Sequence, residues 1–212
     1  MRLKRYDQLT DALADMACTT LLEVGTWNGW RAVELSRAAL RRNPAVEYHG
    51  FDLFELITDD EIETELSKRP PSQADVETRL RRFRRRVALG NALHAWRRRR
   101  FDFSLYRGYT HDTLPALRQT KPNLRAQFIF IDGGHSIETI DNDWHYCSEL
   151  VCDGGVIFLD DFYGNRELAQ RFGCNALIEK LRRDPAWDVQ VLPETDVIEE
   201  LGSIQIARVR RR

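Results

Sequence analysis

The chain has 212 residues, 42% of them hydrophobic, which is enough to form one substantial core, so we expect a single domain over residues 1–212. The formal net charge of −1 gives no overall reason to expect a nucleic-acid partner, although arginines cluster at 79–86 and 97–100. No apolar run approaches the roughly 20 residues of a membrane span, and residues 1–13 lack the apolar stretch of a secretory signal, so we expect a cytoplasmic protein. The four cysteines show no CxxC spacing and are expected to be reduced thiols rather than disulfides or zinc ligands.

Strand and helix patterns alternate along most of the chain. Strands are predicted at 20–24, 46–53, 101–106, 126–131, 155–159, 187–192 and 203–209, and helices at 6–17, 30–41, 137–151 and 167–183. This β-α-β alternation predicts a doubly wound α/β fold with a mostly parallel, Rossmann-like sheet. The short link between the last two strands favours an antiparallel pair at the edge of the sheet.

The strand pattern stops between residues 54 and 100. Two prolines at 70 and 71 break the chain, and the segment 73–89 is predicted to be a helix whose apolar face carries Val76, Leu80, Phe83 and Val87. We interpret 54–100 as an arginine-rich helical insertion after the second strand. It would serve as a lid over the site or as a subunit contact in a homodimer.

Two hydrophobic runs near the centre of the chain end in carboxylates, FIFIDGGHS at 128–136 and GGVIFLDDF at 154–162. Buried parallel strands have this pattern when they deliver acidic side chains to the rim of a sheet. Convergence of Asp132, Asp160 and Asp161 would form an oxygen-ligand metal site. Adjacent strand residues point to opposite faces, so Asp160 and Asp161 converge only if the chain turns there. The alternative is that one of this pair caps the following helix.

The first strand runs into EVGTWNGW at 23–30, a glycine-bearing turn that opens a helix and lets the backbone approach a ligand. Trp27 and Trp30 occupy the second and third glycine positions of a dinucleotide motif, which argues against NAD. Asp52 ends the second strand, where a carboxylate can accept both hydroxyls of an adenosine ribose. A solvated strand-end carboxylate is the alternative interpretation.

Together, EVGTxxG, GFDLF at 50–54, YRGYT at 106–110 and the two aspartate motifs resemble class I S-adenosylmethionine-dependent methyltransferases. The resemblance covers residues 21–161 and is closest to the small-molecule O-methyltransferase group with an IDGGHS motif. It implies an enzyme that methylates a hydroxyl of a small molecule. The cofactor-binding residues that it implies are Glu23, Gly25, Thr26, Trp27, Asn28, Gly29, Asp52, Tyr109, Thr110 and Asp132.

Metal-dependent catechol and sugar O-methyltransferases are the members most similar to this pattern, and they imply that Asp132, Asp160 and Asp161 bind Mg²⁺. Magnesium prefers oxygen ligands and keeps several waters that a substrate can displace. The same comparison implies that His135 is the general base, a role that suits an imidazole with a pKa near 6.5. A structural role is the alternative for His135, and His111 and His145 are interpreted as peripheral.

Two other functions remain open from the sequence. An RNA methyltransferase would use the arginine-rich insertion for phosphate contacts, although no aromatic residues interleave with the arginines for base stacking, so a nucleic-acid partner is not favoured. A non-catalytic S-adenosylmethionine-binding module would need Glu23 and Asp52 but not the aspartate triad.

Overall fold

The computed structural model describes residues 3–93 and 98–212, without the side chain of residue 93. Segment 94–97 lies outside the described residues; it includes the start of the arginine cluster at 97–100 and part of the insertion. The strands are β1 (Thr20–Val24), β2 (Ala45–Asp52), β3 (Arg100–Arg107), β4 (Ala126–Ile131), β5 (Val151–Tyr163), β6 (Trp187–Val191), β7 (Asp196–Ile198) and β8 (Gly202–Arg211). The helices are α1 (Asp7–Asp15), α2 (Trp30–Ala39), α3 (Asp59–Thr64), α4 (Gln73–Leu93), α5 (Thr110–Thr120), α6 (Ile137–Leu150), α7 (Arg166–Ala169) and α8 (Asn175–Arg182).

The strands form one sheet in the order β3-β2-β1-β4-β5-β8-β6, and β7 pairs with β8. Strands β1 to β5 are mutually parallel, whereas β8 runs antiparallel to both β5 and β6. The predicted doubly wound α/β fold with an antiparallel C-terminal pair is therefore confirmed. The strand order reverses at β1, which lies between β2 and β4. In open α/β sheets, ligands bind at the carboxyl ends of the strands where the order reverses.

The core lies on both faces of the sheet because the central strands present apolar side chains to both faces. Phe128 and Phe130 point to the face covered by α1, α2 and α4, whereas Ile129 and Ile131 point to the face covered by α5, α6 and α8. All four cysteines are free, as predicted. No helix among the described residues is both long and apolar enough to cross a bilayer.

The predicted insertion consists of two parts that pack differently. Helix α4 buries Val76, Leu80 and Phe83 in the core, where Phe83 meets Phe101 of β3 edge to face at 4.9 Å. The predicted apolar face of this helix is therefore confirmed. The preceding segment, 57–70, contains α3 and lies over the carboxyl ends of the strands instead.

Within the described part of the chain, the sequence predicted one helix wrongly and did not predict α3, α5 or β7. The helix predicted at 167–183 is two helices, α7 and α8, separated at Gly173, where φ is +82°. A Cβ on Gly173 would lie 2.3 Å from the carbonyl oxygen of Asp161, so tertiary contact prevents the helix from continuing. The elements without a prediction, α3, α5 and β7, are short or carry an internal proline.

Candidate active site

A cavity of about 440 Å³ opens at the carboxyl ends of the central strands. Its walls come from the first turn, the end of β2, the start of α5, the loop after β4 and the 57–70 segment. The predicted site residues that line it are Gly25, Trp27, Asp52, Tyr109, Thr110, Asp132 and His135. The fold thus gathers residues from four separate motifs around one space.

The first turn is held against the loop after β4. Gly25 has a φ of +85°, and a Cβ there would lie only 1.8 Å from the carbonyl oxygen of Asp132. Only glycine allows this approach, which places the turn beside the first aspartate of the carboxylate cluster. Trp27 follows and stays half exposed at the cavity wall.

Asp52 is fixed by the same turn. Its Oδ2 accepts a hydrogen bond from the Trp27 amide at 2.6 Å, and its Oδ1 accepts one from the Phe54 amide at 2.7 Å. Burial raises the pKa of Asp52, although these amides act in the opposite direction. These amides fix the carboxylate at the end of β2, on the wall of the cavity.

Four of the predicted cofactor residues lie outside the cavity lining. Glu23 is buried beneath the turn, where it accepts a hydrogen bond from the Tyr48 hydroxyl, and burial raises its pKa to about 8. Thr26 is also buried and lies 3.3 Å from the same hydroxyl. Asn28 and Gly29 lie at the start of α2, where Asn28 Oδ1 accepts from the Trp30 amide at 3.0 Å. These residues support the first turn from the side away from the cavity, and their contact with a cofactor stays a prediction.

The three aspartates converge as the sequence predicted. Asp132, Asp160 and Asp161 each place a carboxylate oxygen within 4.8 Å of the others. Asp161 has a φ of +60°, a conformation that residues with a Cβ rarely adopt. The required turn therefore occurs at Asp161 itself, and it coincides with the register shift between β5 and β8 after Leu159.

Two residues near the N-terminus complete this cluster. The Arg5 guanidinium donates from Nε to Asp160 Oδ1 at 2.8 Å and from Nη2 to Oδ2 at 2.9 Å, while its Nη1 lies 3.2 Å from Asp196 Oδ2. The Tyr6 hydroxyl donates to Asp160 Oδ2 at 2.5 Å, and its ring also lies under the Arg31 guanidinium. Sequence analysis did not identify these residues, since no local pattern relates Arg5 to partners more than 150 positions away.

The electrostatics of the cluster differ from one carboxylate to the next. Burial alone would raise the pKa of Asp160, but the Arg5 hydrogen bonds outweigh it and the pKa is lowered. Burial, together with the charges of the other two aspartates, raises the pKa of Asp132 well above its ordinary value. Burial and the charge of Asp160 raise the pKa of Asp161 to about 6.

The donor set fits a hard divalent cation. With all three carboxylates ionised, as a bound ion would require, they and the Arg5 guanidinium carry a formal charge of −2, which is −3 plus +1, in a largely buried group. Oxygen ligands of this kind suit Mg²⁺. Asp160 Oδ2 already accepts from both Arg5 and Tyr6, whereas Oδ1 accepts only from Arg5, so Oδ1 is the oxygen with a lone pair left for an ion.

His135 joins the cluster to the 57–70 segment. Its Nε2 lies 3.2 Å from Asp161 Oδ2, and its Nδ1 lies 2.5 Å from the backbone carbonyl oxygen of Glu65. A carbonyl oxygen can only accept, so Nδ1 carries the proton and Nε2 is the basic nitrogen of the neutral ring. His111 and His145 are exposed and do not line the cavity, although the His111 ring stacks on Tyr109 at 5.2 Å.

Comparisons with known proteins identify a family and similar folds. Residues 22–162 match the methyltransferase domain family, and no curated protein matches the chain. Similar solved structures include the O-methyltransferase TomG from Streptomyces achromogenes in complex with SAM (13% identity, 100% of this chain, 81% of that chain, TM-score 0.64). Another is the O-methyltransferase from Bacillus cereus with SAH (15% identity, 100% of this chain, 82% of that chain, TM-score 0.61). A third is CalS11, a TDP-rhamnose 3'-O-methyltransferase (16% identity, 97% of this chain, 76% of that chain, TM-score 0.62). The family match covers the turn, Asp52 and all three clustered aspartates, and the chain belongs to the methyltransferase domain family.

Proposed function

We propose that the protein transfers a methyl group from S-adenosylmethionine to a hydroxyl of a small molecule, with Mg²⁺ held by Asp132, Asp160 and Asp161. The observation that carries this proposal is that one cavity is lined by both halves of such a site. Gly25 and Asp52 form the half suited to a nucleoside, and Asp132 and His135 form the half suited to an acceptor hydroxyl.

Asp52 is the residue proposed to hold the cofactor ribose. Backbone amides fix its two oxygens in place, so it would accept both ribose hydroxyls without reorganising. Gly25 brings the turn close to Asp132, and the half-exposed Trp27 ring would pack on the cofactor. TomG and the Bacillus cereus enzyme, which have this fold, were solved with SAM and SAH respectively.

The carboxylate cluster and His135 are proposed to act on the acceptor. Arg5 and Tyr6 hold Asp160 in a fixed orientation, and the turn at Asp161 brings its carboxylate to the same point. Mg²⁺, when bound there, would orient the acceptor hydroxyl and lower its pKa. His135 Nε2 would take the hydroxyl proton as the acceptor oxygen attacks the methyl group in line.

A small acceptor is favoured by the shape of the site. The 57–70 segment encloses the outer side of the cavity and contributes Ile57, Leu66, Lys68 and Pro70 to its wall. A volume of about 440 Å³ must hold the reacting parts of both substrates, which suits a compact acceptor. CalS11, one of the structures with this fold, acts on a sugar hydroxyl of TDP-rhamnose.

An RNA acceptor is the second candidate. Arg82, Arg85 and Arg86 share an exposed face of α4, as phosphate contacts would require. This face belongs to the helix that packs on β3, whereas the cavity lies under the 57–70 segment. We therefore favour the small molecule.

The test is turnover with S-adenosylmethionine and a panel of catechols and sugar nucleotides, with S-adenosylhomocysteine release as the readout. We expect activity on at least one hydroxyl acceptor, loss of that activity on chelation, and full activity in the triple variant Arg82→Ala/Arg85→Ala/Arg86→Ala. Methylation confined to RNA, lost in the triple variant and steeply reduced by salt, would contradict the proposal.

A further inference from the structure

The 57–70 segment is a closed unit with its own internal bonds. Thr58 and Glu61 form a capping box at the start of α3. Arg69 donates to the Ile57 carbonyl at 3.2 Å and pairs with Asp59, which joins the two ends of the segment. The segment can therefore keep its shape while its contacts with the rest of the protein change.

Glu65 attaches this segment to the first turn of α6. Its Oε2 accepts from the Ser136 amide at 2.6 Å, and its Oε1 accepts from the hydroxyls of Ser136 and Thr139 at 2.8 and 2.7 Å. Burial opposes the charged form, but these hydrogen bonds outweigh it and lower the pKa of Glu65. A carboxylate at a helix N-terminus is also favoured by the helix dipole.

The same residue contacts His135 through its backbone. The Glu65 carbonyl accepts from His135 Nδ1, one residue before the amide that binds the Glu65 carboxylate. Gly134 makes this approach feasible, since a Cβ there would lie 2.8 Å from Glu65 Oε2. The side chain thus holds the carbonyl at the place where it orients the imidazole.

The end of helix α3 lies next to this contact. Leu66 has a φ of +50°, a conformation that is sterically disfavoured for a residue with a Cβ, and its side chain is half exposed. A left-handed residue is common just after a helix, and here the Leu66 amide donates to the Glu63 carbonyl at 3.3 Å and the Ser67 amide to the Ile62 carbonyl at 2.9 Å, which closes the end of α3 beside Glu65.

We propose that Glu65 is a positioning residue that holds the 57–70 segment closed and keeps the proton of His135 on Nδ1, which leaves Nε2 as the basic nitrogen facing Asp161. The catalytic consequence rests on the proposed function, because it matters only if His135 is the base. The orientation of the imidazole does not depend on it.

The test compares His135 in the wild type and four variants by ¹⁵N NMR, which distinguishes the two neutral tautomers, and by hydrogen exchange of segment 57–70. Glu63→Ala is the matched control because Glu63 is an exposed carboxylate in the last turn of α3, two residues before Glu65. A His135→Gln sample assigns the His135 signals. Both measurements use ligand-free protein at a pH where the imidazole is neutral.

We expect the Nδ1-protonated tautomer in the wild type and in Glu63→Ala. Glu65→Ala should populate the Nε2-protonated tautomer and accelerate exchange in 57–70. Glu65→Gln should largely restore the wild-type tautomer and the slow exchange of 57–70. Its amide oxygen can accept from Ser136, and its amide nitrogen can donate to the hydroxyls. If Glu65→Ala fails to fold, Thr139→Val removes one of the three hydrogen bonds to the Glu65 carboxylate and should shift both readouts in the same direction. An unchanged tautomer and unchanged exchange in the folded variants would overturn the proposal.

Kinetics separate this inference from the proposed function. Glu65→Ala should lower kcat by roughly 10- to 100-fold, the range seen when a supporting residue is lost, with a smaller change in the KM for S-adenosylmethionine. If His135→Ala keeps its turnover, the base assignment fails while the tautomer result still decides the role of Glu65. If His135→Ala is inactive and Glu65→Ala keeps the wild-type tautomer and kcat, only the inference about Glu65 fails.

Discussion

Replacing Arg5 by methionine should destabilise the protein by roughly 3 to 5 kcal/mol, the cost of leaving a buried charge without its partner. The side chains of Arg5, Asp160 and Asp196 are 5%, 1% and 3% exposed, so water cannot substitute for the guanidinium. Methionine retains much of the apolar volume of the arginine stem, so the change reports mainly on the charge and its hydrogen bonds.

Urea denaturation of the ligand-free protein measures this effect. Arg42→Met is the matched control, because Arg42 and Asp15 form a 3.9 Å pair with side chains 57% and 88% exposed, and it should change the free energy of unfolding by less than about 1 kcal/mol. Adding Mg²⁺ should recover part of the loss in Arg5→Met, because an ion that binds only the folded cluster stabilises it by mass action. A loss below about 1 kcal/mol in Arg5→Met would refute the claim that Arg5 is the internal counter-ion of the cluster.

Three further predictions concern single groups of the site. Asp52→Ala should weaken S-adenosylmethionine binding by roughly 2 to 3 kcal/mol in calorimetry, the scale for charge-assisted hydrogen bonds, and an unchanged affinity in a folded variant would remove Asp52 from the site. Burial raises the pKa of Glu23 from 4.5 to about 8, so the folded state binds this proton more tightly than the unfolded state. The contribution of this group to the free energy of unfolding is therefore complete below pH 4.5 and is lost as the pH rises through about 8. Urea denaturation at a series of pH values should show that the free energy of unfolding falls less steeply with pH in Glu23→Gln than in the wild type. Equal slopes in the two proteins would contradict this prediction. His135→Ala should lower kcat by roughly 10²- to 10⁴-fold with little change in cofactor affinity, whereas near-normal turnover would exclude His135 as the base.

The sheet and the carboxylate cluster could be predicted from the sequence because their causes are local. Apolar runs such as 128–131 define the central strands, and parallel strands place the residues at their ends on one rim. The convergence of Asp160 and Asp161 required a turn, and the left-handed conformation of Asp161 supplies it.

The remaining features depend on contacts between distant segments. Arg5 and Glu65 have ordinary neighbours in the sequence, yet they form hydrogen bonds with residues 155 and 71 positions away. The break at Gly173 likewise reflects the nearby carbonyl of Asp161 and not the helical pattern around it. The roles of these residues depend on contacts that exist only in the folded protein, so the local sequence around each residue does not predict them.

A crystal structure with S-adenosylhomocysteine and Mg²⁺ tests the central claim most directly. We expect one ordered ion with carboxylate oxygens of Asp132, Asp160 and Asp161 at about 2.1 Å, and the cofactor ribose hydroxyls on Asp52 in the cavity that Asp132 lines. A cofactor bound away from Asp52, or a cluster that stays free of metal at saturating Mg²⁺ with Arg5 still on Asp160, would contradict it.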